Sequence, residues 1–172
     1  MHVTLGELAQ ILEDHFSPKA RDITRFAGTG YSFEEWFNWE QFSAFTALAF
    51  ECNPKPGYKT HFTGHASAQL GDIAISAKDG TTWLVETSLV HAYTQNKWKA
   101  KITEDREKLQ GAVAQGVRKV QLMLLCSDVE TDLQTKWAYW FEGMPFWAAP
   151  DSKKYFSDGE QGEVCLLLWE VE

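Results

Sequence analysis

Apolar and polar positions are most tightly ordered between Gly71 and Ser88, in the stretch GDIAISAKDGTTWLVETS. The pattern predicts two strands, Asp72–Ala77 and Thr82–Val90, folded back on one another at Asp79-Gly80, a strong hairpin signal. Along the second strand Leu84, Glu86 and Ser88 share one face, and Trp83, Val85, Thr87 and Leu89 share the other. Each strand carries one carboxylate, Asp72 at the mouth of the first and Glu86 in the middle of the second. A charge in a buried strand is costly unless it is paired or holds a metal. From neighbouring strands the two carboxylates are expected to approach closely enough to share one hard divalent cation such as Mg²⁺. The competing reading has Asp72 capping the strand entrance and Glu86 facing solvent on a half-exposed edge.

Elsewhere helical periodicity dominates. Thr4-Leu5-Gly6-Glu7 fits a capping box opening a helix to Phe16, with Leu5, Leu8, Ile11, Leu12, His15 and Phe16 as its stripe. Ser17-Pro18 ends it, and residues 18–27 add a short helix. Ser32, with Glu35 at the capping-box position, opens a helix over 33–51. Glu40 falls on the face shared by Trp36, Phe37 and Ala44, a second carboxylate on an apolar surface. Trp39, Phe42 and Phe45 line another side, so periodicity leaves the buried face open.

Asn53–Gly57 reads as a loop and Tyr58–Gln69 as the first strand. His61 and His65 have a metal-ligand spacing suited to a helix, but Gly64 and the threonines at 60 and 63 disfavour one. After the hairpin, Tyr93 to Gln115 forms a helix carrying Lys97, Lys99 and Lys101, and Val117–Ser127 a core strand, implying a right-handed parallel crossover. Asp132–Glu142 is a further helix, Met144–Pro150 an apolar loop, 151–162 a polar turn-rich segment, and Glu163–Val171 a closing strand. No linker or repeat divides the chain, so residues 1–172 are expected to form one domain.

Composition narrows the functional classes. The chain has 172 residues, 44% hydrophobic and 14% aromatic, with eight Trp and eleven Phe, which fits a single aromatic-rich core or a binding surface. A net charge of −8 argues against coating nucleic acid by bulk electrostatics, though not against a local basic groove. No apolar run spans a membrane and the N-terminus has no leader pattern. The three cysteines, Cys52, Cys126 and Cys165, are far apart and odd in number, and Cys126 and Cys165 read as reduced core residues, which points to the cytoplasm.

The order from Ser32 to Ser127 is helix, strand, strand, strand, helix, strand, with Glu40 in the helix, Asp72 opening the second strand and Glu86-Thr87-Ser88 in the third. It resembles the PD-(D/E)XK nuclease superfamily over a little more than half the chain. The resemblance implies an α/β, restriction-endonuclease-like core at about 32–127, a mixed central sheet flanked by helices. To this the chain adds an N-terminal helix and a C-terminal helix and strand. It further implies Asp72, Glu86 and Glu40 as ligands of catalytic Mg²⁺, with Mn²⁺ as a substitute. The family's motif lysine is replaced by Ser88, and the proline that often precedes the aspartate by Gly71. Lys101 or Lys97, with Lys99, would supply a migrated lysine, and Ser88 would be left to hydrogen-bond near the metal. The implied activity is phosphodiester hydrolysis of DNA or RNA. The alternative is a catalytically inactive nuclease fold, such as an immunity or inhibitor protein, that binds a protein partner. The missing lysine and acidic charge favour the alternative, and the acidic trio favours catalysis.

Overall fold

The computed structural model describes residues 3–61, 69–91, 93, 97–111, 116–127, 142, 144, 146, 149–160 and 162–172. The chain is an α/β protein in which N-terminal helices pack on a six-stranded, mixed, open sheet. Its helices are α1 (Leu5–Phe16), α2 (Ala20–Gly28), α3 (Glu34–Ala47), the single turn α4 (Tyr58–His61) and α5 (Lys97–Gln110). Its strands are β1 (Glu51–Pro54), β2 (Ile73–Ser76), β3 (Thr82–His91), β4 (Val117–Ser127), β5 (Ser152–Ser157) and β6 (Glu163–Val171). Across the sheet they run β1-β2-β3-β4-β6-β5, and among the described residues the β3–β4 pair is parallel and the other pairs are antiparallel. A parallel pair needs a crossover, and α5 lies within it.

Both faces of the sheet are covered, which is why β3, β4 and β6 read as nearly continuous apolar runs. On one face Ile73, Trp83, Val85, Leu122, Leu124 and Leu166 meet α1, α2 and α3 through Leu8, Leu12, Phe16, Ile23, Phe37 and Phe45. On the other, Val90, Met123, Leu125 and Trp169 meet Ile102 of α5 and Met144. Ala74 and Leu84 meet Leu109 and Tyr58 beside them. Met144 and Phe146 pack on this second face, where the Trp169 indole donates to the Phe146 carbonyl at 2.8 Å. The 132–142 helix expected from the sequence lies outside the described residues except Glu142.

Local signals explain most boundaries. Thr4 caps α1 in a complete capping box with Glu7. The capping box expected at Ser32 does not form. Phe33 takes the cap position without a side-chain bond, and the helix begins at Glu34. That helix ends early, because Ala49 turns left-handed at φ 62° while the Phe50 N–H returns to the Phe45 carbonyl. The turn releases the chain into β1, a strand where a loop was expected. Conversely, the expected Tyr58–Gln69 strand is not the first strand: Tyr58–His61 is helical, and 62–68, with His65, lies outside the described residues. β1 was hidden because it is a four-residue edge strand, largely exposed and ended by Pro54, a residue edges tolerate. β5 was hidden for the same reason: an outer strand rich in Lys and Ser has no apolar alternation, and its charges protect the edge.

Ala49 occupies the position that most favours glycine at a helix end. Ala49→Gly should therefore raise stability by about 0.5–1 kcal/mol. Denaturant titration would detect this as a higher midpoint at unchanged slope; a lower midpoint would count against the strain.

Candidate functional site

The β2–β3 hairpin closes as its sequence predicts. Gly80 takes φ +87°, and the Thr81 N–H donates to Asp79 Oδ1 at 2.8 Å. In the antiparallel register Ile73 faces Val85, so one step further along Asp72 stands across from Glu86. Asp72 is locked in place: Oδ2 accepts the Thr87 N–H at 2.8 Å, and Oδ1 lies 3.1 Å from Lys55 Nζ. The residue before it must be small. A Cβ on Gly71 would stand 3.0 Å from Leu84 Cδ1 and 3.4 Å from Pro56 Cγ, too tight for a side chain without movement of Leu84.

Glu86 is 3% exposed and sits on the α5 face of the sheet. This rules out the reading in which it faces solvent. Its Oε1 accepts a very short hydrogen bond from the Tyr58 hydroxyl and lies 2.9 Å from Lys108 Nζ. Helix α5 presents Lys101, Asp105 and Lys108 at helical spacing on one side. Asp105 joins the two lysines, with Oδ2 3.4 Å from Lys101 Nζ and Oδ1 3.2 Å from Lys108 Nζ. Lys101 also donates to the Thr87 carbonyl at 3.2 Å and to both oxygens of Glu34 at 3.3 Å. The result is a half-buried cluster of Glu34, Asp72, Glu86 and Asp105 around Lys55, Lys101 and Lys108.

Several of the expected site residues meet here and others do not. Asp72, Glu86 and Lys101 are brought together. Ser88 is buried on the same face of β3 as Glu86, and its hydroxyl has no hydrogen-bond partner among the described residues. Glu40, expected in the trio, is not in the cluster. It faces α1, where Oε2 lies 2.7 Å from His15 Nε2 and 3.3 Å from Lys19 Nζ. The reason is the face of α3 that is buried, namely Phe37, Gln41, Ala44 and Phe45, which leaves Glu40 at its margin. The helix acid that does arrive is Glu34. Lys99 turns to the Glu142 carbonyl instead, and Lys97 opens α5 with its side chain outside the described residues.

Charge in the cluster is finely balanced. Burial pushes the Glu86 carboxyl up from 4.5 to about 7, against Lys108 and the Tyr58 hydrogen bond and with the help of Asp72 and Asp105. Burial likewise raises Glu34, opposed by Lys101. For Lys101 burial works downward, yet Glu34, Asp105 and Asp72 outweigh it and hold the ammonium above its ordinary value. Lys108 is raised in the same way, its desolvation outweighed chiefly by Glu86. The Tyr58 phenol is held well above its usual range by burial and by Glu86.

Among the described residues no three His, Cys, Asp or Glu side chains are grouped to hold a metal ion. Mg²⁺ asks for less, one or two carboxylates completed by waters and substrate phosphates. Asp72 and Glu86 on facing strands meet that requirement, and polar atoms beside them remain unsatisfied. The Ser88 hydroxyl is one, and Asp105 Oδ2, which has Lys101 nearby but no hydrogen bond, is another. Asp72, Glu86 and Asp105 are oxygen donors of the kind a small hard cation takes, and in this structure Lys55, Lys101 and Lys108 stand against them. The 340 Å³ groove lined by Val3, Leu48, Ala49, Phe50, Ala77, Lys78 and Asp79 is a separate feature, at the hairpin-turn end of the sheet. No helix among the described residues is long and apolar enough to cross a membrane. No family model, curated protein or solved structure matches the chain.

A carboxyl whose folded pKa lies above its unfolded value stabilises the fold fully below about 4.5 and loses that contribution as pH rises through about 7. Glu86→Gln keeps an oxygen for Tyr58 and Lys108 but removes the titration. The variant should gain on the parent between these pH values, by an amount on the order of 3 kcal/mol. Buried His91, lowered by desolvation, titrates in the opposite sense, so the difference between the two proteins is the quantity to follow in urea melts. A difference independent of pH would place the Glu86 titration elsewhere.

Proposed function

We propose that the chain is a metal-dependent phosphodiesterase of the PD-(D/E)XK type acting on nucleic acid. The observation that carries this reading is the reach of Lys101 from α5 to the Thr87 carbonyl, 3.2 Å away, in the segment Glu86-Thr87-Ser88. A cation thus stands beside the strand position from which the family's lysine is missing. The order α3-β1-β2-β3-α5-β4, with those four strands side by side in the sheet, supports the restriction-endonuclease-like core.

Asp72 and Glu86 would hold Mg²⁺, or Mn²⁺ in its place. When bound, the ion supplies a polarised phosphoryl oxygen and an activated water. The remaining roles belong to side chains described above. Lys101 offers a fixed charge where negative charge grows on the phosphate, a contribution that depends on its being held in advance. Glu34 and Asp105 hold it, so the helix acid of the cluster is Glu34, holding the lysine, and not Glu40, which was expected to hold the metal. Tyr58 and Lys108 fix the Glu86 carboxylate, and the Thr87 N–H fixes Asp72. Ser88 keeps a buried hydroxyl available for a hydrogen bond. Cys52, Cys126 and Cys165 form no disulfide, which fits a cytoplasmic setting.

A second reading, an inactive nuclease-like module that binds a protein partner, is favoured by a different observation. Both oxygens of Asp72 and one of Glu86 already have partners within the chain, and such a closed network is self-sufficient.

Under the catalytic reading, Mg²⁺ or Mn²⁺ should support cleavage of DNA or RNA and raise the melting temperature. Asp72→Asn and Glu86→Gln should each abolish both effects. Lys101→Met should lower the rate by roughly 100-fold or more without removing the metal-induced shift, whereas Lys99→Ala should stay within a few-fold of the parent. Well-folded protein that cleaves neither single nor double strands with either metal would leave the binding module as the better reading.

A further inference from the structure

Two of the most exposed large side chains lie close along the chain to residues of the carboxylate cluster. Tyr31 is 80% exposed and Tyr93 61% exposed. They belong to the α2–α3 loop and to the segment just beyond β3, and Gly30 brings these together. It takes φ +76° next to Tyr93, where a Cβ would stand 3.4 Å from the ring's Cγ. Below the surface Phe33 stacks on buried His91, with centroids 6.2 Å apart and planes at 15°. The Tyr93 N–H donates to His91 Nδ1 at 3.2 Å, which fixes the start of the segment. The next residue after Phe33 is Glu34, the partner of Lys101. The aromatic surface and the cluster are therefore continuous along the chain.

Exposed aromatic rings on a rigid base cost apolar surface in water and gain it back when another flat ring covers them. Beside a phosphodiesterase centre, the flat rings available are nucleobases, which any aromatic face accepts only when they are unpaired. We propose that Tyr31 and Tyr93 form a base-stacking platform and that the substrate class is single-stranded nucleic acid. The platform rests on the phosphodiesterase reading for where the backbone lies, with phosphate at Lys101 and the bases turned to the tyrosines. The overall charge of −8 disfavours bulk electrostatic binding of either strand form, so in this proposal stacking on the tyrosines carries the affinity.

The test is fluorescence anisotropy without added divalent metal, using single-stranded DNA, single-stranded RNA and a DNA duplex of one sequence. Single strands should bind more tightly than the duplex, and the DNA and RNA arms identify the preferred sugar. Tyr31→Ala and Tyr93→Ala should each weaken single-strand binding by roughly 5- to 100-fold, while Tyr31→Phe and Tyr93→Phe retain it. Trp39→Ala, exposed on α3, should have no effect. Duplex binding equal to single-strand binding overturns the platform. So do alanine variants that bind like the parent, and so does the absence of binding to every oligonucleotide. Asp72→Asn separates the two readings, since it should end cleavage and leave binding intact. Tyrosine-dependent binding without cleavage in the parent would sink the phosphodiesterase reading alone. Cleavage indifferent to both tyrosines would sink the platform alone.

Discussion

Four carboxylates gathered around three ammonium groups at the edge of a hydrophobic core set the terms for this structure. Taking any one of these charges out of water costs several kcal/mol unless partners replace the lost solvation. The chain meets that cost by drawing partners from five places: the loop before α4, α4 itself, the start of α3, the β2–β3 hairpin and α5. None of these segments can shift independently without leaving a charge unpaired. The cluster thus acts as a clamp that fixes α5 against the sheet, in addition to the apolar contacts of Ile102 and Leu109.

The same balance explains why Glu86 is the strained member. Lys108 and Tyr58 both serve its Oε1, yet Asp72 and Asp105 stand near enough to oppose its ionisation, and burial opposes it more than either. Perturbed carboxyls of this kind concentrate at functional sites, because a scaffold selected for stability alone would replace them with apolar residues of similar volume. On the opposite face of the sheet Gln41 Nε2 reaches Thr87 Oγ1 at 3.2 Å, tying α3 to the strand that carries the site. The backbone of Thr87 is therefore held from three sides: by Asp72 at its N–H, by Lys101 at its carbonyl and by the β4 ladder.

How much of this was legible depended on whether the signal was local. The hairpin, the crossover helix and the strands at Val117 and Glu163 follow from turn chemistry and apolar runs, and they stand where expected. So does the meeting of Asp72 and Glu86, because a two-strand register is a local property. Glu40 was misplaced because α3 has aromatic residues nearly all round, with Trp36, Phe37, Trp39, Phe42 and Phe45 on different sides. Only the packing against α1 decides which side is inward. Lys108 and Asp105 carried a usable signal, being charged residues interleaved with Ile102 and Leu109 on one stripe of α5. Tyr58 carried none, since its role depends on how the chain turns after Pro56-Gly57.

The placement of Glu34 shows how a broken local rule can mark a site. A helix start at Ser32 with Glu35 completing a capping box would satisfy orphan N–H groups at little cost. Instead the helix starts one residue later, at Glu34, Phe33 serves as an uncapped N-cap, and Ser32 reaches only the Glu34 N–H at 3.5 Å. Losing a good cap costs about 1 kcal/mol. The shift sends Phe33 onto His91 and Glu34 onto Lys101, so one departure from the best local structure serves both the aromatic surface and the charged cluster. The ion pair that results is partly buried, and desolvation of Glu34 outweighs its attraction to Lys101, so the pair fixes geometry more than it adds stability. The forfeited cap is exchanged for contacts that no isolated helix would have, and those contacts join α3 to the strand and helix that carry the other charges.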